Sequence, residues 1–267
     1  MTSTESPAPK AAALVTGASS GIGLELARKI AAHGHDVVLV SRRRDALEAV
    51  AGTIEGKFGV RALVIPADLR LPDAAEELYA SVSAQKLEIE ILVNSAGFGL
   101  GGEFLETDML REVEMIQVNV TALTQLTKLF AAAMVRRRRG RVLNVASTAA
   151  FQPGPLMAVY YATKAYVLSF SEAIAEELRD TGVTVTALCP GATATGFAET
   201  AKVSNSRLFT KLGVASPQSV ARYGYKAMMR GERVAIPTLR DKIMIQSERF
   251  APRALVTKIA RMVQENR

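Results

Sequence analysis

Residues 160–164 read Tyr-Tyr-Ala-Thr-Lys. A phenol beside an ammonium group is a proton-transfer pair. The cation favours the phenolate and draws the tyrosine down from its ordinary pKa of about 10. On a helix, residues three and four apart are neighbours. Tyr160 and Tyr161 both stand within that reach of Lys164, so spacing alone leaves open which one is chemical. A second stretch, "TGASSGIG" at 16–23, places Gly17, Gly21 and Gly23 close together. Glycine lets a backbone turn tightly and lets a pyrophosphate approach its N–H groups. The spacing is Gly-x-x-x-Gly-x-Gly, not Gly-x-Gly-x-x-Gly, so it needs a strand before it and a helix after it to mean a nucleotide site.

Both conditions are met by the elements around these residues. Apolar runs at 12–17, 36–41, 61–68, 89–97, 140–147, 182–191 and 232–237 read as strands. Helical stretches at 23–34, 44–56, 72–85, 108–135 and 158–180 fall between them. Continuous Val/Ile/Leu runs suit parallel strands buried on both faces. Repeated β-then-α units predict an α/β fold, a Rossmann-type doubly wound three-layer α/β/α sandwich on a mostly parallel seven-stranded sheet. The expected organisation is a disordered N-terminal tail at 1–10, one nucleotide-binding catalytic domain at 11–238, and a basic helical extension at 239–267 broken at Pro252. Such sheets bind ligands beyond the carboxyl ends of their strands. Here "TGASSGIG", "SRRR", "AD", "NSAGFG", "STAAFQPGP" and "PGATATG" follow six successive strands, so the polar and glycine-rich pieces converge on one edge.

Bulk properties exclude several other classes. The 267 residues, 49% hydrophobic and 22% charged, fit one large globular domain. One cysteine, Cys189, excludes a disulfide framework and a cysteine-based zinc site, and it reads as a small buried core residue. His33 and His35 lie away from the convergent edge, and no metal is implied. The net charge of +7 is densest at Arg136–Arg139 with Arg141. No aromatics interleave that run, so it reads as a solvated helix end, and no nucleic-acid partner is expected. The first ten residues carry no apolar signal-peptide core. The uncharged stretch 142–163 contains Pro153, Pro155 and Gly154, which makes a poor membrane helix, and it reads as strand, substrate loop and helix start. A cytoplasmic location is expected.

Together "TGASSGIG", "NSAG" (94–97), "YYATK" and "PG" (190–191) resemble the short-chain dehydrogenases/reductases of the classical type, over about residues 12–236. Ser95 departs from the family's usual second asparagine. The resemblance implies the pattern Tyr-x-x-x-Lys, which selects Tyr160 with Lys164, and it places the serine thirteen residues upstream at Ser147. Asn119 matches the asparagine that holds a relay water behind the lysine. The implied chemistry interconverts a ketone or aldehyde and an alcohol, with Tyr160 as acid/base, Ser147 bonding the substrate oxygen, and Lys164 lowering the tyrosine pKa while holding the nicotinamide ribose. Gly17, Ser19, Ser20, Gly21, Ile22 and Gly23 form the implied phosphate turn. Asp68 and Leu69 meet the adenine, Asn94, Ala96 and Gly97 the adenosine ribose, and Pro190, Gly191, Thr193 and Thr195 the nicotinamide. The cofactor can be chosen physically. An acidic residue after the second strand would repel a 2′-phosphate. Ser41, Arg42 and Arg43 stand there instead, and a guanidinium suits a phosphate. The expected cofactor is NADP(H).

Phe98, Phe151, Pro153, Leu156 and Met157, with a lid over 197–213, are the expected substrate lining, and they favour an apolar carbonyl compound. The motifs are most similar to the branch containing hydroxysteroid dehydrogenases and 3-ketoacyl reductases. The family implies a homodimer or homotetramer; Ile116, Val120, Leu123, Leu126 and Phe130 suit a subunit face or ordinary core. The basic tail has two readings, a weak peripheral membrane contact or a helix pair packed on the body or on a second subunit. The rival function is a non-catalytic NADP(H)-binding sensor or regulator, against which the complete set Asn119, Ser147, Tyr160 and Lys164 argues.

Overall fold

The computed structural model describes residues 11–201, 203, 206, 213–248 and 250–265. The expected tail at 1–10 and most of the lid at 202–212 lie outside the described residues. Seven strands form one sheet: β1 (Ala11–Thr16), β2 (Asp36–Ser41), β3 (Ala62–Pro66), β4 (Glu88–Asn94), β5 (Gly140–Val145), β6 (Val183–Leu188) and β7 (Val234–Ala235). Their order is β3-β2-β1-β4-β5-β6-β7, and every adjacent pair is parallel. The chain builds outward from β1 to β3, then returns to place β4 on the other side of β1. That reversal opens a crevice at the carboxyl ends of β1 and β4.

Helices α1 (Gly21–Ala31), α2 (Arg44–Phe58), α3 (Ala74–Ala84), α4 (Met109–Ile116), α5 (Leu123–Arg136) and α6 (Ala158–Glu177) connect the strands. Successive strand residues point to opposite faces. Ala13 and Val15 pack with Leu26, Ile30, Leu47 and Ile54 under α1 and α2. Ala12 and Leu14 pack with Leu78, Leu126, Phe130 and Met134 under α3 and α5. Leu123, Leu126 and Phe130 are therefore core of the subunit, while Ile116 stays 42% exposed.

The sequence overextends several strands. β3 stops two residues before Asp68, β4 at Asn94 and β6 at Leu188. The residues beyond leave the ladder and fall at the crevice. Residues 117–122 form a π-helical turn between α4 and α5, a form frequent at functional sites.

One helix escaped the sequence reading. It is α8 (Pro217–Arg230), after the short α7 (Phe197–Thr200). Its signals are present: Ser216 caps it by accepting from the Ser219 N–H, Pro217 begins it, and Gly231 ends it in the left-handed conformation. Gly224 in its middle argues locally against a helix. Packing decides otherwise, because a Cβ there would come within 2.7 Å of Leu188 on β6. The basic tail forms α9 (Leu239–Glu248) and α10 (Arg253–Gln264), separated at Pro252 as the sequence implies.

The arginine run sits at the opposite, amino-terminal edge of the sheet. Arg137 donates to the Ile89 carbonyl, Arg138 to the Asp180 carbonyl, and Arg139 to Glu90. These side chains tie the turn before β5 to the start of β4 and to the turn before β6.

Candidate active site

A cavity of about 980 Å³ lies at the carboxyl edge of the sheet. Gly17, Ser19, Ser20, Gly21, Ile22 and Gly23 form one wall. Gly17 and Gly21 hold positive φ angles of 68° and 57°, a region that L side chains rarely adopt. Ser20 starts α1 without capping it through its side chain, so the first helical N–H groups are left to a ligand at this wall. Gly23 is tight for another reason: a Cβ there would strike the Gly17 carbonyl, lying 2.9 Å from its carbon. Gly23→Ala is therefore expected to cost about 1–3 kcal/mol, several degrees of Tm in a chain this size, and to abolish nucleotide binding. A thermal melt with and without nucleotide checks it, and an unchanged melt would contradict the cradle.

Ser41, Arg42, Arg43, Asp68, Leu69, Ala96 and Gly97 continue the lining. The Ser41 Oγ is buried with no hydrogen-bond partner. A buried hydroxyl left unmatched costs free energy, and a phosphate oxygen held by the adjacent guanidinium groups would match it. Asp68 is held by Arg70 through a pair reaching 2.6 Å. That hydrogen bond holds its carboxyl below the usual range. Arg70 and Arg111 also line the cavity, and neither was anticipated because no local motif marks them. Arg111 lies 4.8 Å over the Phe98 ring. Asn94 is a correction. Its side chain points into the sheet–helix interface, donating to Thr127 and Asn144 at 2.9 Å each, and Ser95 lines the cavity in its place.

Tyr160 and Lys164 lie one turn apart on α6, and Ser147 follows β5. All three face the cavity. The Ser147 side chain stands close enough to the Tyr160 phenol to favour its ionised form. Ser147 itself is fixed by the Ala149 N–H at 3.1 Å. Lys164 is buried and donates to the Val145 carbonyl at 2.8 Å. Asn119, on the π-helical turn, stands behind this group. Its amide brackets Phe98, accepting from the N–H at 3.1 Å and donating to the carbonyl at 3.0 Å, and it also donates to Thr163. Its side chain thus holds the Phe98 loop against α6 rather than lining the cavity.

The expected lowering of the tyrosine by the lysine is also corrected. Burial pushes the Tyr160 phenol up, and the Ser147 side chain only partly opposes this. Lys164 sits 5.8 Å from the ring centre and is itself pushed down to about 8 by burial.

Pro190, Gly191, Thr193 and Thr195 close the far wall. Cys189 is buried beneath them, its thiol pushed up to about 12 by burial. Of the predicted substrate lining, Phe98 and Met157 face the cavity. Phe151 does not: on the 3-10 turn 148–151 it packs behind the site with Leu168, Phe170 and Ile236. Pro153 and Leu156 also miss, the Leu156 carbonyl being engaged by the Gly102 N–H at 2.8 Å. Phe197 covers Tyr160, with ring centres 5.1 Å apart. The largest omission is the tail. Met244 and Glu248 of α9, and Val256, Ile259 and Gln264 of α10, roof the cavity. The tail packs on the body of the subunit. Its amphipathic pattern was legible, but the face it covers was not.

Residues 11–205 match the family model described as short chain dehydrogenase. The chain belongs to the short-chain dehydrogenase family. These are oxidoreductases, and relatives in the ketoacyl reductase and hydroxysteroid dehydrogenase branch are the ones the motifs pointed to. This short-chain dehydrogenase is 37% identical over 194 residues to the human very-long-chain 3-oxoacyl-CoA reductase, across 71% of this chain and 62% of that protein. It is 36% identical over 181 residues to the mouse 17-beta-hydroxysteroid dehydrogenase type 3, across 67% and 58%. The chain thus spans about three fifths of the length of these relatives. Among solved structures it is similar to a short-chain dehydrogenase from Sphingobium yanoikuyae in complex with NADPH, with a TM-score of 0.82 and 32% identity over 92% of this chain and 95% of that one.

Proposed function

We propose that this short-chain dehydrogenase is an NADP(H)-dependent carbonyl reductase acting on an apolar ketone or aldehyde. The observation that carries this reading is one continuous cavity joining the glycine turn, Ser41 and Arg42 to Ser147, Tyr160 and Lys164. The glycine wall and the α1 N–H groups would hold the pyrophosphate, Arg42 with Ser41 the 2′-phosphate, and Lys164 the nicotinamide ribose. When bound, the nicotinamide supplies or accepts the hydride. Every other step belongs to the chain. Ser147 donates a hydrogen bond to the substrate oxygen and so stabilises the negative charge that develops there. Tyr160, kept protonated at neutral pH by its burial, gives its proton to that oxygen as the alcohol forms. Phe98, Met157 and Phe197 exclude water and favour an apolar substrate. The exposed apolar face of Met109, Leu110 and Val113 on α4 suits the expected homodimer or homotetramer.

The test follows nicotinamide absorbance with NADPH, then NADH, across apolar ketones and aldehydes, beside Arg42→Asp. A charge-assisted phosphate contact is worth about 1.5–3 kcal/mol, and the carboxylate adds repulsion. The variant is expected to lose NADPH efficiency by roughly 10²-fold and to retain NADH. Equal use of both cofactors by the native chain would refute the assignment. Tight NADPH binding without turnover of any carbonyl would favour the sensor.

A further inference from the structure

We propose that Gln264, Tyr161 and Glu248 form a second polar subsite, which recognises a neutral hydroxyl group carried by the substrate away from its reacting carbonyl. This rests on the carbonyl-reductase reading and names the substrate class more closely. The reacting oxygen needs only Ser147 and Tyr160. The cavity nevertheless holds another cluster of polar groups, from α6, α9 and α10, and that chemistry uses none of these groups.

Tyr161 is the tyrosine that the acid/base role leaves over. Its ring stands edge-on to that of Tyr160, with centres 6.1 Å apart, and packs directly on Gly154, where any Cβ would collide with it. The ring is therefore fixed. Its hydroxyl accepts from the Gln264 side-chain N–H at 2.6 Å, so its own O–H remains a donor. Gln264, on the last turn of α10, is only 4% exposed. Its carbonyl oxygen is buried with no hydrogen-bond partner. Turning the amide over would exchange the two atoms and still leave one of them unmatched.

Glu248 on α9 completes the group. It lies close enough to oppose ionisation of Tyr161, and Gln152 donates to its carboxylate once the amide nitrogen is turned toward it. Gln152, Tyr161, Glu248 and Gln264 all line the cavity.

An unmatched buried amide oxygen costs about 1–3 kcal/mol, and such groups call for an explanation. A ligand hydroxyl supplies one. It donates to the Gln264 oxygen and accepts from the Tyr161 O–H, so each group is satisfied. A hydrocarbon terminus leaves the amide oxygen unmatched. A carboxylate terminus meets that oxygen and Glu248, which repel it. Val256, Ile259 and Met157 line the same cavity, and their apolar surface fits a carbon skeleton. The structure thus selects an apolar ketone bearing a neutral hydroxyl.

The experiment uses the full chain with NADPH and a set of apolar ketones in three forms: unsubstituted, bearing one hydroxyl at successive positions, and bearing a carboxylate at those positions. Dissociation constants are measured by calorimetry on the complex with the oxidised nucleotide, which cannot reduce the ketone, and kcat/KM is measured in parallel with NADPH. For at least one hydroxyl position the native chain is expected to prefer the hydroxyketone by roughly 10- to 100-fold over its unsubstituted parent, and to discriminate against the carboxylate. Gln264→Met keeps the volume and removes both amide groups, and it should reduce that preference to a few-fold. Glu248→Gln should relax the discrimination against the carboxylate. Native Kd ratios near one at every hydroxyl position would overturn the subsite whatever the variants do. So would a preference that survives in a folded Gln264→Met. Turnover without hydroxyl preference sinks the subsite and leaves the reductase reading standing. Hydroxyl-selective binding without turnover does the reverse.

Discussion

Tyr160→Phe is expected to lower kcat for carbonyl reduction by about 10²–10⁴-fold, the range lost when a positioned general acid is removed. The substitution deletes one oxygen from a ring that α6 and Phe197 hold in place, so fold and nucleotide affinity should be retained. The phenol is a proton donor that lines the cavity beside Ser147. The Tyr161 hydroxyl is placed at Gln264 of α10, in the tail subsite. Stopped-flow and steady-state assays with NADPH, beside a nucleotide titration, check both halves. A variant within tenfold of the native rate would assign the proton to another group. Since burial pushes the native phenol up, the native rate of reduction should hold across neutral pH without a tyrosine ionisation.

Lys164→Met is expected to cut activity by at least about 10²-fold while changing stability in a pH-dependent way. Lys164 is held at about 8, chiefly by burial, against an ordinary 10.5. Below pH 8 both folded and unfolded chains keep this proton, and the folded state bears the whole desolvation penalty, on the order of 3 kcal/mol. Between 8 and 10.5 the unfolded chain holds a proton that the folded chain has released, so native stability rises with pH. Above 10.5 the penalty is gone. Methionine has no such titration, although it leaves the Val145 carbonyl without its donor, at about 1–3 kcal/mol. The variant should compare most favourably with the native chain below pH 8 and lose ground as pH rises toward 10. Denaturant unfolding of the two chains at pH 7, 8, 9 and 10 measures this. A constant difference would mean that the buried amine keeps its ordinary pKa.

Much of this molecule was written locally. The strand–turn–helix at 11–31 and the apolar runs of β1 to β6 depend on neighbours in sequence, and so did the convergence of six loops on one sheet edge. Spacing marked Lys164 and two candidate tyrosines, and the family resemblance selected Tyr160 and placed Ser147. Ser41 and Arg42 were legible because the end of β2 has a fixed place at the crevice. Tertiary structure decided the rest. Asn94 and Phe151 sit at positions that sequence assigns to the site, yet each side chain turns into packing, because a residue's facing depends on which layer lies against it. α8 runs through a glycine that only its contact with Leu188 explains. The pKa directions of Tyr160 and Lys164 follow from burial, a sum over groups distant in sequence. The roof of the cavity comes from α9 and α10, roughly a hundred residues beyond Tyr161. Spacing along the chain determined which groups could do chemistry. Long-range packing determined how dry their surroundings are and which tail closes over them, since desolvation and shape are properties of an enclosure and not of any one segment.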